Sequence, residues 1–197
     1  MYCIYCICEK IFSSKKEYFC VLNTCIWLVL RFIMLELILI NAKDRAKIEK
    51  LCKLKLEIWK DFYHKFYDKK LLNYICFFVN PQTIKGEILN NFNYAFIAQD
   101  EDILGYLSYY FENDVLNFSE IYLEKSHTKQ KIGFQAFEKI KEIALKNNVS
   151  KIQTYVEEEN LNAQNAFLKW GFKKEALKAR CIGNDYYFLV FEFVYEI

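Results

Sequence analysis

The sequence predicts an α+β fold built on a mixed, mainly antiparallel sheet of about six to seven strands. Three short apolar strands follow one another between residues 94 and 123, with turns at Asp100–Asp102 and Asn113–Asp114. A helix, a strand and another helix follow between residues 132 and 170. The chain closes with two strands, and Gly183–Asn184 lies near their turn. A strand meander followed by mixed elements is typical of this class.

Composition and charge narrow the function classes. The 197 residues suit one domain with some extension. Hydrophobic residues make up 54% of the chain and aromatic residues 18%, which is ample for a core and excludes a disordered protein. The formal net charge of +2 is too small to indicate a nucleic-acid partner. We therefore expect a globular domain that does not bind nucleic acid.

Residues 1–33 differ from the rest of the chain. Their apolar run, Phe19–Leu30, is shorter than the roughly 20 residues of a membrane helix, and no small-residue cleavage pattern follows it. We expect residues 1–33 to be an appendage to a domain at 34–197, with Met34 as the true start; a membrane anchor is the alternative. Mass spectrometry of the native protein tests this, because peptides from residues 1–30 would contradict it.

The eight cysteines do not form a recognisable metal or disulfide pattern. Cys3, Cys6 and Cys8 lack the paired spacing of a zinc site. Cys52, Cys76 and Cys181 lie in apolar surroundings, so we expect small core residues there. Free thiols are typical of a reducing compartment. We expect a cytoplasmic protein without a metal.

The first part of the domain predicts a strand and three helices. The strand covers Leu35–Ile40, and Asn41 and Asp44 are candidate N-caps for the helix that follows. That helix has apolar residues at helical spacing, at Ile48, Leu51, Cys52, Ile58, Trp59 and Phe62. A second helix is expected over Tyr67–Phe78. The third covers Gln82–Asn90, with Pro81 at its first position.

The stretch from Ser119 to Ala144 predicts a strand, a basic loop and a helix. The loop carries lysines at positions 125, 129 and 131, and the helix begins near Ile132. The first-turn amides of a helix lack internal partners, and the helix dipole adds positive potential there. Gly133 would let an anion approach the backbone closely. A phosphate site is one interpretation, and a plain solvated loop is the other.

Two motifs carry a family resemblance. The loop at residues 128–133 has the sequence TKQKIG, and residues 160–172 have the sequence NLNAQNAFLKWGF. These resemble the pyrophosphate loop, Q/R-x-x-G-x-G/A, and the block N-x-x-A-x-x-x-Y-x-x-x-G-F of the GNAT superfamily of acyl-coenzyme A-dependent N-acyltransferases. The resemblance covers roughly Met34 to the C-terminus. Thr128 and Lys131 depart from the loop motif, and Phe167 replaces a Tyr that often serves as general acid in that family.

The resemblance implies a GNAT-like sheet with helices on both faces and acetyl-CoA as co-substrate. It implies that the pantetheine arm inserts between the strand ending at Leu123 and the strand Ile152–Val156. Asn160 would either cap its helix or bond the pantetheine arm. The residues implied in cofactor binding are Ile121, Leu123, Thr128, Lys129, Gln130, Lys131, Ile132, Gly133, Asn160 and Phe167.

Transfer of an acetyl group to an amine requires a base, because an alkyl ammonium has a pKa near 10. Glu120 is the first candidate, since it lies on the strand beside the expected thioester, and Glu157 is the second. Either one could instead be an ordinary strand carboxylate. Phe167 cannot donate a proton to the leaving thiolate, so Tyr122 or Tyr155 is the candidate donor.

Two functions therefore compete. The first is an N-acetyltransferase that moves an acetyl group from acetyl-CoA to a primary amine, by direct attack in a ternary complex. The acceptor would be a small molecule or a protein N-terminus. The alternative is an acyl-CoA-binding regulatory module with weak or no catalysis, which Thr128, Lys131 and Phe167 favour. Members of the family often pair, so the resemblance leaves a homodimer as one possibility, and a membrane partner is not expected.

Overall fold

The structure is a computed structural model that describes residues 35–128 and 130–197. The predicted appendage at residues 1–33, its cysteines and Lys129 lie outside the described residues. Among the described residues, no helix is long and apolar enough to span a membrane. Within the same ranges, no group of three or more His, Cys, Asp or Glu side chains could hold a metal ion.

Seven strands form one sheet in the order β1-β2-β3-β4-β5-β7-β6. Their bounds are β1 Glu36–Leu39, β2 Asn93–Gln99, β3 Asp102–Glu112, β4 Val115–Leu123, β5 Lys151–Glu157, β6 Lys173–Gly183 and β7 Tyr186–Glu196. Only β4 and β5 pair in parallel, and the other neighbours are antiparallel. The predicted mixed, mainly antiparallel sheet is confirmed.

Helices cover both faces of the sheet, as predicted. They are α1 Arg45–Tyr63, α2 Lys69–Phe77, α3 Pro81–Leu89, α4 Ile132–Lys146 and α5 Leu161–Lys169. Apolar residues of α1 and α3 pack with β2 and β3 in one buried cluster. Residues of α4 and α5 pack in a second cluster on the opposite face. The sheet therefore separates an α1 side from an α4 side.

Side-chain caps fix where the helices begin. The Asp44 carboxylate accepts from the Lys47 amide at 3.1 Å, so Asp44, rather than Asn41, is the N-cap of α1. Asn80 caps α3, which begins at Pro81. Asn160 accepts from the Ala163 amide and caps α5, so the predicted cap is confirmed.

The expectation about Cys181 is wrong. Cys52 is buried in the α1-side cluster, and Cys76 is half-buried, but Cys181 is exposed. The reason is its position on β6, which is the last strand of the sheet and pairs only with β7. Residues 173–181 of β6 are all exposed, so apolar neighbours in the sequence did not imply a core position.

A β-bulge in β4 decides which side chains reach the α1 side. Tyr109 of β3 pairs with Phe118, whereas Ser108 pairs with Glu120, so Ser119 is the extra residue. Phe118 and Ile121 consequently both pack on the α4 side. The bulge thus turns the following Glu120 toward the α1 side of the sheet.

Two residues before the bulge, at Asn117, the pairing of β4 with β5 ends. The two strands pair only over Val115–Asn117 and Lys151–Gln153. From Phe118 onward, β4 pairs with β3 alone. Gly105 of β3 permits a close approach there, because a Cβ at this position would lie 2.1 Å from the Tyr122 carbonyl oxygen. The C-terminal half of β4 therefore presents an edge toward β5 to which no backbone of β5 bonds.

Candidate active site

A chain of hydrogen bonds joins β4 and β5 on the α1 side of this opening. Tyr63, the last residue of α1, donates through its hydroxyl to the Glu157 carboxylate on β5 at 2.9 Å. The Tyr63 and Tyr122 hydroxyl oxygens lie 2.6 Å apart. Tyr63 has one proton, and it is given to Glu157, so Tyr122 is the donor to Tyr63. The bonds therefore run in one direction, from Tyr122 to Glu157.

The surroundings of this chain affect its protonation. Burial raises the pKa of the Glu157 carboxyl, and the negative charges of Glu159 and Glu120 add to the rise, against the hydrogen bond from Tyr63. Burial also raises the pKa of Tyr63 and of Tyr122 well above the usual phenol value. Both tyrosines are thus neutral near pH 7, and Glu157 is more basic than an exposed carboxylate.

Glu120 lies in a different environment, a buried ion pair. The Lys55 ammonium donates to both carboxylate oxygens of Glu120, at 2.7 and 2.9 Å. Lys55 is only 4% exposed, and its Nζ lies 4.6 Å from the centre of the Trp59 ring. The Trp59 Nε1 in turn donates to the Tyr106 hydroxyl at 2.7 Å. The pair is therefore held by aromatic side chains from α1 and the sheet.

The basic loop and the start of α4 lie at the other end of the opening. A 3₁₀ turn over Lys125–His127 leads to Thr128, whose hydroxyl bonds the Lys125 carbonyl. The Gln130 amide bonds the Ser126 carbonyl at 3.0 Å. Lys131 is the N-cap residue of α4 and provides no side-chain cap. Helix geometry leaves the first-turn amides without acceptors inside the helix, so they point into the loop region.

Lys131 has a left-handed backbone, with φ 62° and ψ 6°. A conformation of this kind costs an L-residue with a side chain roughly 1–2 kcal/mol, whereas glycine adopts it freely. The sequence motif of the resembled family has Gly at this position. Lys131 is therefore a side-chain-bearing residue in a backbone conformation that favours glycine.

Lys131→Gly is expected to raise the free energy of unfolding by up to about 1 kcal/mol, because relief of the strain exceeds the added entropy of the unfolded chain. Urea unfolding measures the change. Lys139→Gly is the matched control, since Lys139 lies within α4, and it should lower stability by about 1 kcal/mol. A loss in both variants would contradict the assignment of strain to Lys131.

Gly133 lies in the first turn of α4, against Trp170. A Cβ at this position would lie 3.4 Å from two atoms of the Trp170 ring and 4.0 Å from Ile121 Cδ1. Trp170 itself stacks on Phe137 of α4, with centroids 5.5 Å apart. The distances from this Cβ are ordinary van der Waals distances, and Gly133 has no positive φ, so neither packing nor backbone conformation requires glycine at this position.

Phe167 lies in the aromatic core on the α4 side. It is 4% exposed and contacts Phe118, Trp170, Phe172 and Phe193. Its ring has no polar group to offer the opening. Leu123 and Ile121 pack against the same cluster. Phe167 therefore belongs to the apolar core on the α4 side, with Ile121 and Leu123 packed against it.

Aromatic side chains close the α1 side beyond the hydrogen-bonded chain. Tyr67 stacks on Phe188 of β7, with centroids 5.0 Å apart and planes 6° from parallel. The Tyr74 hydroxyl of α2 donates to the Ile182 carbonyl at 3.1 Å. The region after α1 thus contacts the β6–β7 hairpin across the end of the opening.

The structure brings the predicted site residues into two groups. Glu120, Tyr122 and Glu157 lie on the α1 side, and Thr128 and residues 130–133 lie near Ile121 at the start of α4. Sequence reasoning missed Lys55 and Tyr63. Lys55 carried a signal, because it falls on the apolar stripe of α1, between Cys52 and Trp59. Tyr63 carried none, since its partner Glu157 is 94 residues away.

Comparison with protein families gives one match. A model of the acetyltransferase (GNAT) family matches residues 48–172, which is more than half of the chain. The fold and the opening define an acyltransferase-type domain. The protein belongs to the GNAT acetyltransferase family and is an enzyme of that class, as the sequence motifs predicted. A comparison with curated protein sequences found no match.

Solved structures with the same fold include three N-acetyltransferases. PaiA from Thermoplasma acidophilum, in complex with coenzyme A, is 19% identical, with a TM-score of 0.65 over 82% of this chain and 99% of that chain. RimL, a ribosomal-protein α-N-acetyltransferase in complex with coenzyme A, is 15% identical, with a TM-score of 0.61; the match covers 83% of this chain and 94% of RimL. A ribosomal-protein-alanine N-acetyltransferase from Escherichia coli is 12% identical, with a TM-score of 0.60; the match covers 83% of this chain and 94% of that chain. Identities this low show the fold alone.

Proposed function

We propose that this enzyme transfers an acetyl group from acetyl-CoA to a primary amine by direct attack in a ternary complex. The observation that carries the proposal is the parting of β4 from β5 after Asn117, beside the start of α4. This arrangement offers a strand edge to a pantetheine arm and helix amides to a diphosphate. Similar folds in complex with coenzyme A support acetyl-CoA as the co-substrate.

The proposed cofactor site uses the backbone more than side chains. The first-turn amides of α4, at Ile132 and Gly133, would bind the pyrophosphate, and Lys129 and Lys131 would add positive charge. Residues Thr128 and Gln130 would complete the loop around it. The backbone of Ile121 and Leu123 would bond the pantetheine arm along the free edge of β4.

We place the general base at Glu157. An ammonium group at the opening would give a proton to the Tyr122 oxygen, while Tyr122 gives its own proton to Tyr63, and Tyr63 gives its proton to Glu157. Each oxygen gains one proton and loses one, and the proton ends on the carboxylate. The directed bonds and the raised pKa of Glu157 support this route.

Glu120, the first candidate for the base, is less suited to this role. Both of its oxygens accept hydrogen bonds from the buried Lys55 ammonium, so the carboxylate is already engaged by a neighbouring side chain. We propose instead that the pair supports β4 at the bulge. Phe167 has no proton to give to the leaving thiolate, so Tyr122 and Tyr155 stay the candidate donors.

The alternative is an acyl-CoA-binding module with weak or no catalysis. Two observations favour it: Lys131 keeps a strained backbone in the loop, and Phe167 is buried among aromatic rings. Both predict reduced cofactor affinity or turnover rather than a different ligand. The cytoplasmic location and the homodimer stay predictions.

Two measurements, made one after the other, test the function. Isothermal titration with acetyl-CoA is expected to show stoichiometric binding. Thiol release is then measured against a panel of primary amines and peptide N-termini, and release that depends on the amine is expected. Binding without release would support the module, and absence of binding would defeat both functions.

A further inference from the structure

The face of the sheet that carries Glu157 continues across β7 to β6. Tyr155 lies two residues before Glu157 on β5, so both side chains point to the same face. Glu157 pairs with Val190 of β7, and Val190 pairs with Lys178 of β6. Arg180 lies two residues farther along β6. The α1 side therefore has two basic side chains beside the opening.

Two ion pairs neutralise four of the charged side chains on this face. Lys178 pairs with Glu192, and Lys55 pairs with Glu120. Arg180, by contrast, forms no ion pair with any carboxylate of the described residues. Glu157, bonded to a neutral hydroxyl, and Arg180 are left without an ion pair, whereas Glu112 and Lys151, also in no ion pair of the described residues, lie at the end of the sheet where β4 and β5 still pair.

The Arg180 guanidinium reaches back over the sheet. Its central carbon lies 5.6 Å from the centre of the Tyr155 ring, which supports the planar group from below. Its positive charge also acts on Tyr110 of β3. Burial raises the pKa of Tyr110, and the Arg180 charge lowers it in part. The guanidinium of Arg180, an exposed residue of β6, therefore lies over the sheet at Tyr155.

The separation between the two uncompensated charges suits a small zwitterion. Residues two apart on a strand are about 6.6 Å apart, and the guanidinium lies 5.6 Å from the Tyr155 ring. The carboxylate of Glu157 and the guanidinium are then on the order of 10 Å apart. An ammonium and an anionic group joined by a chain of several carbons would span this distance.

We infer that the acceptor is a primary amine that carries an anionic group, and that Arg180 binds this group while the amine lies at Tyr122 and Glu157. The inference rests on the proposed acetyl transfer and adds the substrate class to it. Arg180 is then a specificity-determining residue. A carboxylate and a phosphate both suit a guanidinium, because its planar donors match either one in pairs.

Matched amines test the inference. Wild-type kcat/KM is measured by thiol release for 4-aminobutyrate against butylamine, 6-aminohexanoate against hexylamine, and 3-aminopropylphosphonate against propylamine. We expect the anionic member of at least one pair to be favoured by roughly tenfold, mainly through KM, as one charge-assisted contact at an exposed site allows. The relative values for the carboxylates and the phosphonate identify the anion.

Variants separate the role of Arg180 from general charge effects. Arg180→Gln should remove the preference and change the rates with alkylamines by less than about twofold, while Arg180→Lys should keep part of it. Lys85→Gln is the control, because Lys85 is an exposed cation on α3, and its preference should equal that of the wild type. Thiol release without an anion preference, or an equal loss with both amine classes in Arg180→Gln, overturns this inference and leaves acetyl transfer standing. Absence of release with every amine overturns both.

Discussion

Glu157→Gln is expected to lower kcat for amine acetylation by about 10²–10⁴-fold, the usual contribution of a positioned acid or base. The amide keeps the size of the side chain and can still accept the Tyr63 hydrogen bond. It cannot take a proton, so the chain from Tyr122 ends without an acceptor. Steady-state thiol release with saturating acetyl-CoA and a fixed amine measures the loss.

The pH profile distinguishes a base from a structural residue. In the wild type, kcat/KM should rise with pH as Glu157 loses its proton, at a pKa above the ordinary glutamate value. This acidic limb should be absent in Glu157→Gln. Glu159→Gln is the control, because Glu159 is exposed beside the same strand end; it should keep the rate and the acidic limb, with the limb moved toward lower pH because the Glu159 charge adds to the raised pKa of Glu157.

The same substitution should not weaken the fold. Burial raises the folded-state pKa of Glu157 above its unfolded value. The resulting stabilisation is present below the unfolded pKa and is lost as pH rises through the folded pKa. A neutral Gln avoids the cost of the buried charge, so its melting temperature at pH 7 should equal or exceed that of the wild type. Wild-type turnover in Glu157→Gln, with a loss in Glu120→Gln instead, would move the base to Glu120.

Lys55→Met is expected to lower the free energy of unfolding by about 3–5 kcal/mol, the usual cost of removing one partner from a buried ion pair. The Glu120 side chain is 17% exposed, so its carboxylate would lose its counter-ion in a largely dry site. The aromatic rings around Lys55 cannot replace the two hydrogen bonds. Urea unfolding, followed by circular dichroism, measures the change.

Two further variants make this result specific. The double variant Lys55→Met, Glu120→Leu removes both charges and should recover most of the lost stability, since an apolar pair can replace a buried ion pair. Lys47→Met is the control on the same helix. Lys47 pairs with Asp44 at a half-exposed site, and its loss should cost no more than about 1 kcal/mol. If the double variant is no more stable than Lys55→Met, the cost does not come from an unpaired charge.

Local chemistry made most of the fold predictable from the sequence. Asp44, Asn80 and Asn160 each cap a helix where a short polar side chain preceded an apolar repeat. The meander was predictable because its strands alternate and its turns use Asn or Asp with positive φ, as at Asn113 and Asn184. These elements depend on neighbours within a few residues, which a sequence displays directly.

The site was less predictable, because its contacts join distant parts of the chain. Glu120 meets Lys55 across 65 residues, and periodicity alone cannot choose a partner for a lysine on an apolar stripe. The bulge at Ser119 was only weakly indicated by the sequence. The apolar residues of this strand have even residue numbers up to Phe118 and odd numbers from Ile121 onward, which is what one extra residue produces. Which carboxylate stays unpaired followed only from the assembled sheet.

The crystal structure of the complex with coenzyme A tests the central claim most directly. We expect the pyrophosphate oxygens within hydrogen-bonding distance of the amides at residues 131–134. The pantetheine arm should run along the free edge of β4 at residues 118–123, with its sulfur facing Tyr122. Coenzyme A bound elsewhere, or β4 and β5 joined by hydrogen bonds along that edge in the complex, would contradict acetyl transfer at this opening.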